Sequence, residues 1–130
     1  MTVENPNRAA RQLTRQGKAK EAYEKFQELL ADNPDDLVTH RGYVEAAYFA
    51  GRLDEVTRHY QSLRKKDGKQ ALGHYGLALI AVARGPGYMK KGLAEFEQAM
   101  KLKPDEPDFP YRVGLLYLMN GEISKAAESL

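Results

Sequence analysis

Apolar and polar positions along the chain alternate at helical rather than strand spacing. Pro6, Ala9, Ala10 and Leu13 stand at steps of three, one and three, and the same steps return in His40, Tyr43, Val44 and Ala47, in His74, Leu77, Ala78 and Ala81, and in Pro110, Val113, Gly114 and Tyr117. An i, i+3, i+4, i+7 set lies on one face of an α-helix. Each set ends four residues before a glycine: Gly17, Gly51, Gly85 and Gly121. Glycine accepts the positive φ that closes a helix, so each predicts a helix end followed by a tight turn.

A second pattern follows each glycine. A small residue stands at +5, an aromatic at +9 and an aliphatic at +12, with a proline or glycine at +17. From Gly17 these are Ala22, Phe26, Leu29 and Pro34, and from Gly51 they are Val56, Tyr60, Leu63 and Gly68. Counted from Gly87 they are Gly92, Phe96, Ala99 and Pro104, and from Gly121 they are Ala126 and Leu130, where the chain stops. The period is 34 residues, except that Arg84-Gly85-Pro86-Gly87 holds two extra ones. An insertion is least costly at a turn.

Each repeat therefore predicts helix, glycine turn, helix and stop. Asp54 and Ser124 are placed to cap second helices, and Pro110 to mark the start of its own. Asn33-Pro34-Asp35 and Lys103-Pro104-Asp105 end one repeat and open the next, because proline disfavours helix in the residue before it. Two short helices cannot each hide an apolar stripe alone. They must stack on neighbouring pairs, which gives an all-α fold of one domain over residues 1–130, with repeats at about 3–36, 37–70, 71–106 and a truncated 107–130.

The period, the Val113-Gly114 pair with Tyr117, and the Gly, Ala, Phe, Pro offsets together resemble the tetratricopeptide repeat over essentially the whole chain. Val56 departs from the small residue usual at its position, and His40 and His74 stand where a large aromatic is common. The resemblance implies a right-handed α-solenoid of three complete repeats and a truncated fourth. It also implies a non-catalytic scaffold that binds a peptide or protein segment in a concave groove lined by the first helix of each repeat. Counting 10, 6 and 3 residues back from each turn glycine carries the groove onto this sequence. The projected lining is Asn7, Arg11 and Thr14, then Arg41, Glu45 and Tyr48, then Tyr75, Leu79 and Val82, then Tyr111, Leu115 and Leu118. It runs from polar and charged to aromatic and aliphatic, which suits a segment with apolar side chains and an acidic end that reaches Arg11 and Arg41. A Tyr and Leu stripe at helical spacing is also what a core looks like. The family's carboxylate clamp is not expected, because Glu45 would repel a carboxylate and Tyr75 and Leu79 bear no charge.

Composition narrows the classes further. The 20 basic and 18 acidic residues leave a net charge of +2, so no strong field marks the chain for nucleic acid or an anionic membrane. No run approaches the roughly 18 apolar residues of a spanning helix. Zero cysteines exclude disulfides, thiolate metal sites and a cysteine nucleophile, and are compatible with the cytoplasmic location expected here. His40, His59 and His74 form no metal motif, and Gly85-Pro86-Gly87 lacks the Gly-Lys-Ser/Thr ending of a phosphate loop. No catalytic residue, metal or cofactor is expected.

Two other readings remain. Arg64-Lys65-Lys66 is a basic run of the kind RNA-binding helical repeats use, but it falls at a helix C-terminus, where cations are favoured anyway. RNA-reading repeats need recurring polar partners, and the equivalent positions here are Asn7, Arg41, Tyr75 and Tyr111. Self-association is the second: residues 69–104 hold six Lys/Arg against two Asp/Glu, and residues 105–130 hold two against five. The fourth repeat breaks off at Leu130 without the polar closing helix usual in such arrays, which reads as a fragment of a longer protein.

Overall fold

The computed structural model describes residues 5–121, and among these the chain forms seven α-helices and no strand. They are α1 (Pro6–Arg15), α2 (Ala19–Asp32), α3 (Leu37–Ala50), α4 (Leu53–Arg64), α5 (Gln70–Arg84), α6 (Met89–Leu102) and α7 (Asp108–Met119). A 3₁₀ turn, Pro86–Tyr88, precedes α6. The chain divides into two compact units, Met1–Val56 and Thr57–Leu130, and α4 begins in the first and continues in the second.

The turns form where the glycines predict them. Gly17 and Gly51 have φ of 81° and 72°. Around each, the amide of the residue after the glycine reaches back to a carbonyl five residues earlier: Lys18 N–H to Leu13 O at 2.9 Å and Arg52 N–H to Ala47 O at 2.7 Å. This closure satisfies helix-end carbonyls that would otherwise be orphaned, and only a residue tolerant of the left-handed region completes it without strain. At the opposite end of α1, Asn5 accepts the Asn7 amide through its side chain at 3.0 Å, and Pro6 takes the first helical position, where a missing N–H costs nothing.

Several expected caps lie elsewhere. Asp54 is the second residue of α4, not its cap, because the helix begins at Leu53. Its carboxylate still complements the dipole there. Pro110 stands third in α7, within the first turn, whose amides lack intrahelical partners. Ser124, Ala126 and Leu130 lie outside the described residues.

In the first unit α2 packs on α1 and α3, around Ala10, Ala22, Phe26, Val44 and Ala47. Tyr23 of α2 stacks on Tyr43 of α3, ring centroids 5.3 Å apart and nearly parallel. In the second unit α6 packs on α5 and α7, with Tyr60, Ala78, Phe96, Ala99, Phe109 and Val113 buried. Gly92 of α6 lets the two helices close: a Cβ there would stand 3.3 Å from Cβ of Ala81. The two repeat-related histidines have different duties. His40 is buried with Nε2 2.7 Å from the Pro34 carbonyl, which ties α3 to the turn before it, while Nδ1 of His74 on α5 meets Glu95 Oε2 of α6 at 2.5 Å.

Candidate functional site

The first unit brings four of the expected residues into one cleft. Arg11 and Thr14 on α1 and Arg41 and Glu45 on α3 line it together with Arg15, Gly42 and Phe49, around an open volume of about 530 Å³. The register comes from helical spacing: Arg11, Thr14 and Arg15 follow at i, i+3 and i+4, and Arg41, Glu45 and Phe49 at i, i+4 and i+8. Three guanidinium groups against one carboxylate make the cleft basic. Its inner wall is polar as well. Thr14 is only 9% exposed, and its Oγ1 has no hydrogen-bond partner among the described residues. A buried hydroxyl left unpaired costs about 1–3 kcal/mol, so a group that supplied the missing partner would recover that energy.

At the end of α3, Tyr48 and Phe49 are 48% and 62% exposed, and their rings meet edge to face at 5.1 Å. Two large exposed aromatics beside a basic cleft offer apolar area at low side-chain entropy. Asn7 is occupied elsewhere. Its amide nitrogen reaches Asp36 Oδ2 at 3.4 Å, and its oxygen lies 3.0 Å from the Thr39 hydroxyl, so it joins α1 to the start of α3. The Thr39 hydroxyl also lies 2.7 Å from Asp36 Oδ2.

In the second unit the expected residues separate. Tyr75 is a correction: it is 0% exposed, its ring 5.7 Å from Phe96 and 5.3 Å from Phe109, and it belongs to the core. A residue enclosed by aromatics from α6 and α7 cannot meet a ligand without unfolding them. Leu79 and Val82 on α5 and Leu115 on α7 are half-buried, whereas Tyr111 and Leu118 are exposed. The Arg112 guanidinium lies 5.5 Å from the centre of the Tyr111 ring, within cation–π range.

Arg15 and Phe49 were not reached by the repeat offsets, which count from the glycines and visit three positions per helix. The i+4 relation of Arg15 to Arg11 and of Phe49 to Glu45 is the signal that finds them. Burial, reinforced by the Tyr23 phenol, pushes the Tyr43 phenol far above its usual range, and burial lowers the His59 imidazole. Neither lies in the cleft. Among the described residues no cluster of His, Asp and Glu could hold a metal ion, and no helix is long and apolar enough to cross a membrane.

The sequence matches the model of the tetratricopeptide repeat family over residues 13–80. No curated protein matches it significantly. Among solved structures it is similar to a thermophilic TPR protein from Thermus thermophilus, with 25% identity and a TM-score of 0.61, over 96% of this chain and 69% of that one. Helix pairs closed by glycine, a shared period and a family match over more than half of the residues agree, and the chain belongs to the tetratricopeptide repeat family.

Proposed function

We propose that the cleft of the first unit receives an acidic stretch of a partner protein, held as an extended or helical segment, with no chemistry performed on it. Repeats of this family generally mediate protein–protein interaction and are typically non-catalytic. The observation that carries the reading is the buried Thr14 hydroxyl, unpaired in a cleft lined by Arg11, Arg15 and Arg41. A carboxylate accepts from both a hydroxyl and a guanidinium, and charge-assisted bonds of this kind are roughly twice as strong as neutral ones. Glu45 limits the site to a ligand that keeps its charge on the Arg11 side, or that carries a basic neighbour. Tyr48 and Phe49 supply the apolar part of the contact, as aromatic anchors do at interfaces. Leu79, Val82, Tyr111, Leu115 and Leu118 are offered as further apolar contacts.

A photo-crosslinking residue at position 48 tests this. The expected product is a crosslink to an acidic segment, lost when Arg11 and Arg41 are both reversed to Glu in a chain that remains helical. The same crosslink from the reversed variant would remove the cleft from the mechanism.

A further inference from the structure

A second concavity lies beside the stretch that breaks the repeat period. The insertion at Arg84-Gly85-Pro86-Gly87 folds into the 3₁₀ turn Pro86–Tyr88, which sets Tyr88 beside the end of α5. Tyr88 is exposed, and the Arg84 guanidinium lies 5.8 Å from its ring centre, within cation–π range. Both border a pocket of about 260 Å³ whose floor is Leu77, Ile80 and Ala81 of α5. Its remaining walls come from the end of α4, with Arg64, and from α6, with Lys91 and Glu95. On α5 the floor residues face about half a turn away from Leu79 and Val82, so this is not the surface projected from the repeat offsets.

The charges divide unequally. Arg64, Arg84 and Lys91 stand against one carboxylate, Glu95. Glu95 is engaged: its Oε2 meets Nδ1 of His74 at 2.5 Å and its Oε1 lies 3.8 Å from the Arg64 guanidinium. Its charge is therefore balanced inside the protein, and the exposed Lys91 and Arg84 stand at the rim of an aliphatic floor. A floor and rim of this kind match an apolar side chain flanked by carboxylates. The volume is below the roughly 300–1,000 Å³ of small-molecule clefts, which favours one anchoring side chain over a cofactor. Nucleic acid is disfavoured, because an aliphatic floor offers no base-edge partners and a net charge of +2 supplies little phosphate attraction.

We propose that this pocket is a second recognition site, separate from the first-unit cleft, for an acidic segment of another protein that inserts one aliphatic or aromatic side chain between Tyr88 and α6. The insertion is what makes it specific to the third repeat.

A random-peptide display library panned on the whole chain tests this, with counter-selection on the Arg84→Glu/Lys91→Glu variant. Peptides retained only by the unmodified chain are expected to carry Asp or Glu around a single large apolar residue. Synthesised with a fluorophore, they should lose roughly tenfold or more in affinity on the charge-reversed variant, and as much when Pro86 and Gly87 are deleted. Binding to Arg41→Glu should be unchanged, which separates this site from the first-unit cleft. Helical circular dichroism and the melting temperature of each variant establish that it is folded. Retention of no acidic peptide overturns the proposal. So does equal binding by the reversed or deleted variant, a loss on Arg41→Glu, or a uridine decamer that binds this pocket in their place.

Discussion

The ring of Tyr60 on α4 rests directly on the backbone of Gly76 on α5, where an added Cβ would overlap the ring's Cδ1 and Cγ. Phe26 and Gly42, each 34 residues earlier, make the same contact in the first unit. A glycine 16 residues after the aromatic is thus part of how a second helix meets the next first helix in both places. Replacing Gly76 by Ala should destabilise the chain by about 1–3 kcal/mol, the range for overpacking a close contact. Urea denaturation checks this, and an unchanged midpoint would mean that the ring has room to turn.

Tyr75 and Tyr111 occupy equivalent offsets before their glycines but opposite environments. Tyr75→Ala should cost about 3–5 kcal/mol, the penalty for emptying a large aromatic site in a core. Tyr111→Ala should stay within about 0.5 kcal/mol, as exposed substitutions do. Paired denaturation curves decide this, and similar losses would contradict the difference in burial.

That contrast marks how far the sequence could be read. Helix ends were legible because a positive φ and the i, i+3, i+4 stripe are local properties, so Gly17, Gly51 and their helices needed no tertiary knowledge. Arg11, Arg41 and Glu45 were legible as a group because two adjacent helices with the same spacing bring them together. Tyr75 was not, because an offset gives a direction from the helix axis and not what covers the side chain. The cover is Phe96 and Phe109, from the two following helices. At the position matching Gly42 and Gly76 the chain has Arg112, so Phe96 has no glycine to lie on, and it packs edge-on to Tyr75. The second pocket was hidden for a related reason: Gly85-Pro86-Gly87 reads as a lengthened turn, and only packing shows that Tyr88 becomes a wall.

Thr14→Val replaces a buried, unpaired hydroxyl with a methyl of similar shape. Such an exchange should leave stability unchanged or raise it by up to about 1 kcal/mol, because the desolvation cost disappears with the group. Binding of an acidic partner should weaken at the same time. A melting temperature several degrees lower would show that the hydroxyl has a structural partner.

Tyr43 gives a pH dependence whose sign follows from its raised pKa. The folded chain keeps the phenolic proton above the ordinary value of about 10, where the unfolded chain releases it. The contribution is therefore complete below that value and lost as pH climbs past it. Absorbance titration of the eight tyrosines should show the Tyr43 phenol ionising late, together with loss of helical signal, and Tyr43→Phe should lower the amplitude of the late step. Ionisation of every tyrosine before any unfolding would contradict the burial of Tyr43.

The most direct test is the affinity of the acidic segment captured at position 48, measured by anisotropy across a range of salt for the unmodified chain and for Arg11→Ala/Arg41→Ala. The two arginines should account for a loss of roughly tenfold or more and for a shallower salt dependence, with the fold intact. An affinity and salt slope that do not change would mean that the partner is held somewhere other than the first-unit cleft.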